Sequence, residues 1–509
     1  MTPSSSSLSF GTSATSPLRR PRHLVLFTFF SVALLAGCTL TPDYQRPDAP
    51  ISAQWPGTVQ STAPSQAIAD LPWQDLFADP KLRQIIQMAL DNNRDLRIAI
   101  LNIEKARAQY RIQRADLIPN VSASGSQTAQ RTPASVSVAG VGGVTRAYAL
   151  DVGISSYELD LFGRLRSLNE EALQNFFATE QTRRATHISL IAEIAGNYLT
   201  LAADMEQQKL AYNTLQSRQR SYELISEKRQ AGNASTVELR QAQSELEDAR
   251  AQALNADNQV ANDRNALELL VGAPLPAKLL PMTGALGSML AISSIPPGLP
   301  SDLLHNRPDI LAAEHMLLAA NADIGAARAA FFPSISLTAS AGRASNDLSA
   351  LFDHGGRSWS FIPLINLPIF SGGRLTAQLE VSKVQRDIAV AEYEQSIQSA
   401  FREVADALAQ RAVADGQYAA QQQRADAAKD ANDLIELRYQ NGVTSYLDVL
   451  DSQRTLYSAQ QSAIQAKLAQ RTNLVTLYKV LGGGWSDQNQ ANDKNAPSDP
   501  TSNGEPRSK

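Results

Sequence analysis

Residues 164–231 and 374–441 each run nearly seventy positions without proline and with a single glycine apiece, Gly196 and Gly416. Helices of that length measure about 100 Å at 1.5 Å rise per residue. A compact body of this chain length, with a radius of gyration of about 23 Å, is only roughly 60 Å across. Such rods do not fit inside a globule; they project from one or run along a tube.

The chain is also duplicated. Arg94-Asp95-Leu96 recurs as Pro308-Asp309-Ile310, with 24 steps from Asp95 to Pro119 and again from Asp309 to Pro333. Phe162-Gly163-Arg164 recurs as Phe370-Ser371-Gly372-Gly373-Arg374. From Arg164 to Gly232 and from Arg374 to Gly442 there are 68 steps, and from each of those glycines to Gly272 and Gly482 there are 40. Only the segment between proline and arginine changes length, 45 steps against 41. Rod length is therefore the fixed quantity of the repeat unit. The pattern predicts long helices over 164–231 and 374–441, each returned by a partner helix over 233–271 and 443–481, with glycine just past each end as the stop signal.

Composition narrows the class. The 509 residues are 43% apolar and 19% charged, and the rods are rich in Ala, Gln and Ser. Helices polar around most of their circumference have water on more than one side. A net charge of -4 speaks against nucleic acid, which calls for a basic face. The single cysteine rules out a disulfide framework within the chain and a cysteine-built metal site. His187, His305, His315 and His354 have no ligand spacing, the methionines do not cluster, and no nucleophile or acid–base constellation stands out. No cofactor and no enzymatic activity are expected. Ser371-Gly372-Gly373-Arg374 lacks the lysine and spacing of a phosphate loop and reads as a strand-to-helix turn.

Arg19, Arg20 and Arg22 precede the apolar run 24–34, which ends in Leu35-Ala36-Gly37-Cys38. This is a secretory leader, too short to span a bilayer. An ordinary leader with a chance cysteine is the simpler alternative. No other apolar run reaches transmembrane length, so a membrane crossing would need strands. Two hairpins are available, at about 119–161 and 333–371. Tyr148, Leu150, Val152 and Ile154 alternate with Ala149, Asp151, Gly153 and Ser155, and Ser334, Ser336, Thr338 and Ser340 alternate with Ile335, Leu337, Ala339 and Ala341. That is the membrane-barrel pattern, although a soluble hairpin packed on a helix gives it too, and Pro363 and Pro368 disfavour the last strand. Four strands cannot close a barrel, and open edges are not tolerated in lipid, so several chains would have to pool their hairpins.

Trp73, Phe77, Asp79-Pro80, Leu82, Ala89-Leu90, Asn93 and Leu96 resemble the opening signature of outer-membrane efflux proteins of the TolC-like class. Arg307-Pro308-Asp309-Ile310, Ala313-Glu314, Ala322, Ile324-Gly325 and Phe332-Pro333 with Ser334-Ile335-Ser336-Leu337 resemble its second-half counterpart. Cys38 with Pro42, Tyr44 and Arg46-Pro47 resembles the mature start of the lipoprotein (NodT-like) branch. The resemblance implies a mainly α fold with a membrane β-barrel. Four strands per chain would contribute to a twelve-stranded barrel in a homotrimer, above a long periplasmic α-barrel. It implies lipidation of Cys38, with Thr39 after it favouring the outer membrane. It also implies partnership with a periplasmic adaptor and an inner-membrane pump, for which the protein is a passive exit duct for drugs or other small toxic compounds. A protein-secretion duct and a structural periplasmic coiled-coil lipoprotein are the alternatives; the interrupted pattern of Ile188, Ile191, Ile194 and Tyr198 fits the latter poorly. The chain then divides into a signal peptide (1–37), a lipidated segment (38–70), repeats over 71–290 and 291–485, and a polar, disordered tail (486–509).

The rod turns repeat their chemistry. Lys228, Gly232, Ser235 and Glu238 fall at the same steps as Arg438, Gly442, Ser445 and Asp448. The glycines are turn residues first; the resemblance assigns adaptor docking to the whole set. Asp448 and Asp451 share a helix face. Three copies would ring a narrow mouth with six carboxylates, binding cations and raising some of their pKa values, with Leu447 as an apolar seal; acids complementing a helix dipole are the simpler explanation. The resemblance makes Leu447, Asp448 and Asp451 the periplasmic gate. Tyr439 matches a tyrosine of a closing lock whose usual arginine partner falls on Thr444, so that lock is not carried over.

Overall fold

The structure, a computed structural model, describes residues 39–52, 72–136, 140–291, 307–353 and 355–483. The leader, Cys38 and the tail lie outside the described residues. The chain divides into two compact units: residues up to 42 with 116–168 and 323–379, and residues 43–115 with 169–322 and 380 onward.

In the first unit four strands form one antiparallel sheet in chain order: β1 (Val121–Thr132), β2 (Gly143–Leu159), β3 (Ser334–Ser345) and β4 (Arg357–Asn366). The hairpins of the two repeats are joined through β2 and β3. Val152 and Ile154 pair with Ala341 and Ala339, as the alternation requires. An extra residue then enters β2 at Ser156, the one non-glycine of the described residues with positive φ (53°). Ile154 pairs with Ala339 and Tyr157 with Leu337, three steps against two. The bulge thus keeps Tyr157 and Leu159 on the face of Ile154 although the numbering changes parity. This apolar face continues through Ile335, Leu337 and Ala339 to Ile365, Pro363, Phe361 and Trp359. The other face carries Ser336, Thr338, Ser340 and Ser360, with the hydroxyls of Ser340 and Ser360 2.8 Å apart.

Trp359 is 79% and Ile365 66% exposed, so the apolar face is not packed on a helix as in a soluble hairpin. A rod without strands is likewise excluded. Pro363 lies inside β4, opposite Leu337, despite the ladder donor it lacks. Pro368 falls past the strand, which ends at Asn366, short of the 371 boundary. The Ser371-to-Arg374 segment is a turn, with Gly372 and Gly373 at φ 59° and 83°.

The segment after Cys38 is held in this unit. Thr41 Oγ1 lies 3.1 Å from Ser167 Oγ, and Arg328 donates to the Leu40 carbonyl at 3.0 Å. Gly325 makes room: a Cβ there would stand 2.2 Å from Thr41 Oγ1.

The helices are α1 (Trp73–Leu76), α2 (Pro80–Asn92), α3 (Arg94–Ala115), α4 (Arg164–Gln230), α5 (Thr236–Val271), α6 (Pro308–Ala329), α7 (Arg374–Gln440) and α8 (Tyr446–Val480). Helices α4 and α7 are 67 residues each. No helix of the described residues is long and apolar enough to cross a membrane. The main core of the second unit gathers Leu82, Ile85 and Ile86 of α2, Ile191, Ile194 and Tyr198 of α4, Leu267 and Val271 of α5, Tyr393 and Ile397 of α7, and Leu477 and Tyr478 of α8. Each such fully buried side chain contributes about 1.5–3 kcal/mol. The signature residues are structural here. Asp79 caps α2 by accepting from Lys81 N at 2.8 Å. Asn93 accepts from Leu96 N at 2.9 Å and donates to the Leu270 carbonyl at the end of α5 at 2.7 Å. Arg307 donates to the Val480 carbonyl at the end of α8 at 2.8 Å, the same step of the second repeat.

Glu314 of α6, with a side chain 10% exposed, accepts from Tyr44 at 3.1 Å and from Arg46 through two bonds of 2.8 Å. This carboxylate anchors residues 44–46. Glu314→Ala should loosen that segment by about 1–3 kcal/mol, since the partners keep access to water. Limited digestion with a non-specific protease checks it: cleavage within 43–52 should accelerate while the core fragment persists.

Candidate functional site at the hairpin tips

Helices α4 and α7 end the same way because a helix leaves its last four carbonyls unsatisfied. Gly232 and Gly442 sit at φ 77° and 74°, the left-handed region. Gly232 N–H bonds the Arg229 carbonyl at 3.1 Å and Asn233 N–H the Lys228 carbonyl at 2.7 Å; Gly442 and Val443 do the same with Tyr439 and Arg438, at 2.9 Å each. These are Schellman motifs. Nothing lies within 4 Å of a Cβ at either glycine, so conformation and not crowding demands it.

The return helices start at Thr236 and Tyr446, three residues later than the predicted 233 and 443. The reason is a capping box in each turn. Ser235 and Ser445 are extended N-caps whose Oγ accepts from the N–H of Glu238 (3.1 Å) and Asp448 (3.3 Å). The two carboxylates reach back to the N–H of Ser235 (2.6 Å) and Ser445 (3.0 Å). The repeated serine and acid thus complete the turn.

The structure brings the eight tip positions to one end of the second unit, where both hairpins share a small core. Ile225, Ala242, Tyr446, Val449 and Leu450 are buried, with Tyr222, Leu239 and Tyr439 packed against them. Lys228 Nζ stands 4.6 Å from the centre of the Tyr439 ring, a cation–π contact between repeats, and Tyr439 and Tyr446 rings are 5.7 Å apart. Arg438 is exposed beside its own turn.

On α8, Tyr446, Val449 and Leu450 turn inward, while Leu447 is 59% exposed and Asp448 and Asp451 are exposed with it. The three candidate gate residues therefore occupy one outward stripe. Thr444 supports the cap of the second hairpin. Its hydroxyl donates to Asp448 Oδ2 at 2.5 Å, and Ser445 Oγ donates to the same oxygen at 2.7 Å. These hydroxyls, Thr444 first, hold the Asp448 carboxyl below the usual carboxylate range.

One feature had no sequence signal. Glu245 of α5, 9% exposed, meets Arg218 of α4 at 3.5 Å and also the guanidinium of Arg454 on α8. The acid ties the helix carrying Asp448 and Asp451 to the first repeat. Its partners are scattered over three helices, and no local spacing announces them. Gln453 to Glu436 (2.8 Å) and Ser452 to Asn432 (3.1 Å) bind α8 to α7 within the second hairpin. No group of three or more His, Cys, Asp or Glu that could hold a metal occurs among the described residues.

Gly442→Ala should cost about 1 kcal/mol by forcing a left-handed alanine, read as faster amide exchange in the last turn of α7. The Asp448 cap contributes stability above the ordinary carboxyl pKa and loses it as pH falls through the lower folded value. Thr444→Val should move the Asp448 midpoint upward in a carboxyl NMR titration, and an unmoved midpoint would discard the Thr444 bond.

Residues 85–273 and 299–483 match the family described as outer membrane efflux protein, one match per repeat. The antibiotic efflux pump outer membrane protein ArpC of Pseudomonas putida is 50% identical over 463 residues, covering 90% of this chain and 95% of that protein. The toluene efflux pump outer membrane protein TtgC, also of Pseudomonas putida, matches to the same extent, 50% over 463 residues with 90% and 95% covered. The open state of the Neisseria gonorrhoeae MtrE outer membrane channel aligns with a TM-score of 0.79 at 41% identity, covering 88% of this chain and 98% of that one. With both repeats matched and half of the aligned residues identical to efflux relatives, the chain belongs to the outer membrane efflux protein family.

Proposed function

We propose that this protein is the outer-membrane exit duct of a tripartite efflux system, working as a homotrimer. The observation that carries the reading is the single four-stranded sheet with one apolar face and another that is mostly polar over β1 to β3, whose β1 and β4 each have one neighbour among the described strands. In lipid such edges must be paired, and three copies give twelve strands in a closed barrel. The long helices of each copy then line a periplasmic tube. Cargo moves passively; the names of the antibiotic and toluene relatives support drugs and small apolar toxins as its class. An inner-membrane pump supplies the energy, and a periplasmic adaptor docks on the repeated tips at Lys228, Gly232, Ser235, Glu238, Arg438, Gly442, Ser445 and Asp448. Cys38 carries the lipid anchor. Support for that anchor comes from the ordered seat of Leu40 and Thr41 immediately after it.

Leu447, Asp448 and Asp451 form the periplasmic gate. Their outward stripe on α8 supports it, because a threefold arrangement would bring those stripes together around the axis. Adjacent carboxylates attract cations and repel anions.

Asp448→Ala combined with Asp451→Ala should raise single-channel conductance in planar bilayers and lower the preference for cations; unchanged conductance and selectivity would remove both residues from the gate. Cys38→Ser should abolish incorporation of labelled fatty acid while leaving the matured chain able to form channels.

A further inference from the structure

Inside the chain the second repeat packs on the first. In the second unit, His315 of α6 faces α4: its Nδ1 lies 2.7 Å from Gln174 Oε1, and its ring centre is 5.4 Å from that of Phe177. In the first unit, Phe162 stacks on Phe332 with ring centres 4.7 Å apart, and β2 pairs with β3, Leu159 opposite Ile335. In each contact the first repeat offers its return strand or long helix. The second offers its short helix or first strand.

A duplicated chain carries each half of this seam twice. The Asp95-to-Asp309 offset of 214 makes Leu101 the counterpart of His315 and Ile118 that of Phe332. The Arg164-to-Arg374 offset of 210 makes Val384 the counterpart of Gln174, and Phe370 recurs for Phe162. Gln174, His315 and Phe162 are half-buried in the filled seam. All four counterparts lie open: Leu101 and Val384 are each 51% exposed, Ile118 66% and Phe370 90%. They are not isolated. Val381, Val384 and Ile388 make one exposed stripe of α7, and Ile98 and Leu101 one of α3. The α4 steps matching the α7 stripe hold Glu171, Gln174 and Ala178. The open version is thus more apolar than the filled one, as on a surface that another protein covers.

The repeat also names the occupant. The open face of α7 matches the face on which α4 receives α6, so it receives the counterpart of α6, which is α3. Because α3 of the same chain is itself open at Leu101, the α3 that fills the face belongs to a second copy. We propose that copies of this chain join by repeating their internal seam, α3 of one copy on α7 of the next, with Leu101 against Val384 and Ile118 against Phe370. Each copy gives one face and receives the other, so the contact is heterologous and closes into a ring. By the same offsets β1 of one copy pairs with the β4 edge of the next, Val121 opposite Leu367, both exposed in the single chain. The proposal rests on the trimeric reading above and names the residues that hold it together.

The test is chemical cross-linking of the purified full-length protein in detergent, carrying either Leu101→Cys with Val384→Cys or Ile118→Cys with Phe370→Cys. A short bis-maleimide is the probe, since side chains of the size seen in the internal seam set the backbones farther apart than a disulfide spans. On a denaturing gel both pairs should shift the protein to species of two and three chains. Wild type, whose one cysteine is Cys38, should stay at a single chain. So should Leu101→Cys with Leu434→Cys, since Leu434 lies 50 residues beyond Val384 on α7, about 75 Å along the helix. Links within one chain, equal linking of the distant pair, or a missing link at either seam pair would overturn the proposal. The native mass of the same sample separates the failures. Three chains without links discards this seam and leaves the trimer, whereas a single chain removes both.

Discussion

Every other feature of this molecule depends on where its helices stop. A helix of 67 residues leaves unsatisfied backbone groups at each end, and the two repeats answer with the same devices. At the tips a left-handed glycine closes the carbonyl end and a Ser–acid capping box opens the return helix. At the far end of each return helix a side chain standing just before α3 or α6, Asn93 or Arg307, caps the last turn at Leu270 or Val480. Helices terminated by geometry at matching steps have equal lengths. Equal lengths let both hairpins reach one level, where Ile225, Ala242, Tyr446 and Leu450 pack into a common tip core.

That level is where the two repeats diverge. Lys228 stacks on Tyr439 whereas Arg438 is exposed. Asp448 collects two hydroxyls and a backbone N–H, whereas Glu238 takes the N–H of Ser235. The second hairpin presents Leu447, Asp448 and Asp451 outward while Arg454 reaches back to Glu245. Capping thus fixes the ends, and the substitutions between repeats give each end its own chemistry. The shared architecture leaves room for such differences because exposed tip positions contribute little to the core.

Long periodic elements were legible in the sequence to within a few residues, since proline-free runs bounded by glycine obey local rules. The return helices began three residues late because Ser235 and Ser445 belong to the turn, a matter of backbone angles at one position. The alternation of β2 was legible as far as Ile154. Its continuation was not, because the bulge at Ser156 reverses parity without any glycine or proline to mark it. Tyr44, Arg46 and Glu314 stood out only through resemblance; the structure supplies their reason, a buried carboxylate shared by two donors some 270 residues away. The Arg218–Glu245–Arg454 cluster was invisible, since its members meet only once three separate helices are packed.

The central claim is that one chain supplies only a section of wall and that a passage exists only where copies close around it. The native mass of the purified, detergent-solubilised particle tests this most directly. Three chains per particle is the predicted result; a stable single chain would contradict the account.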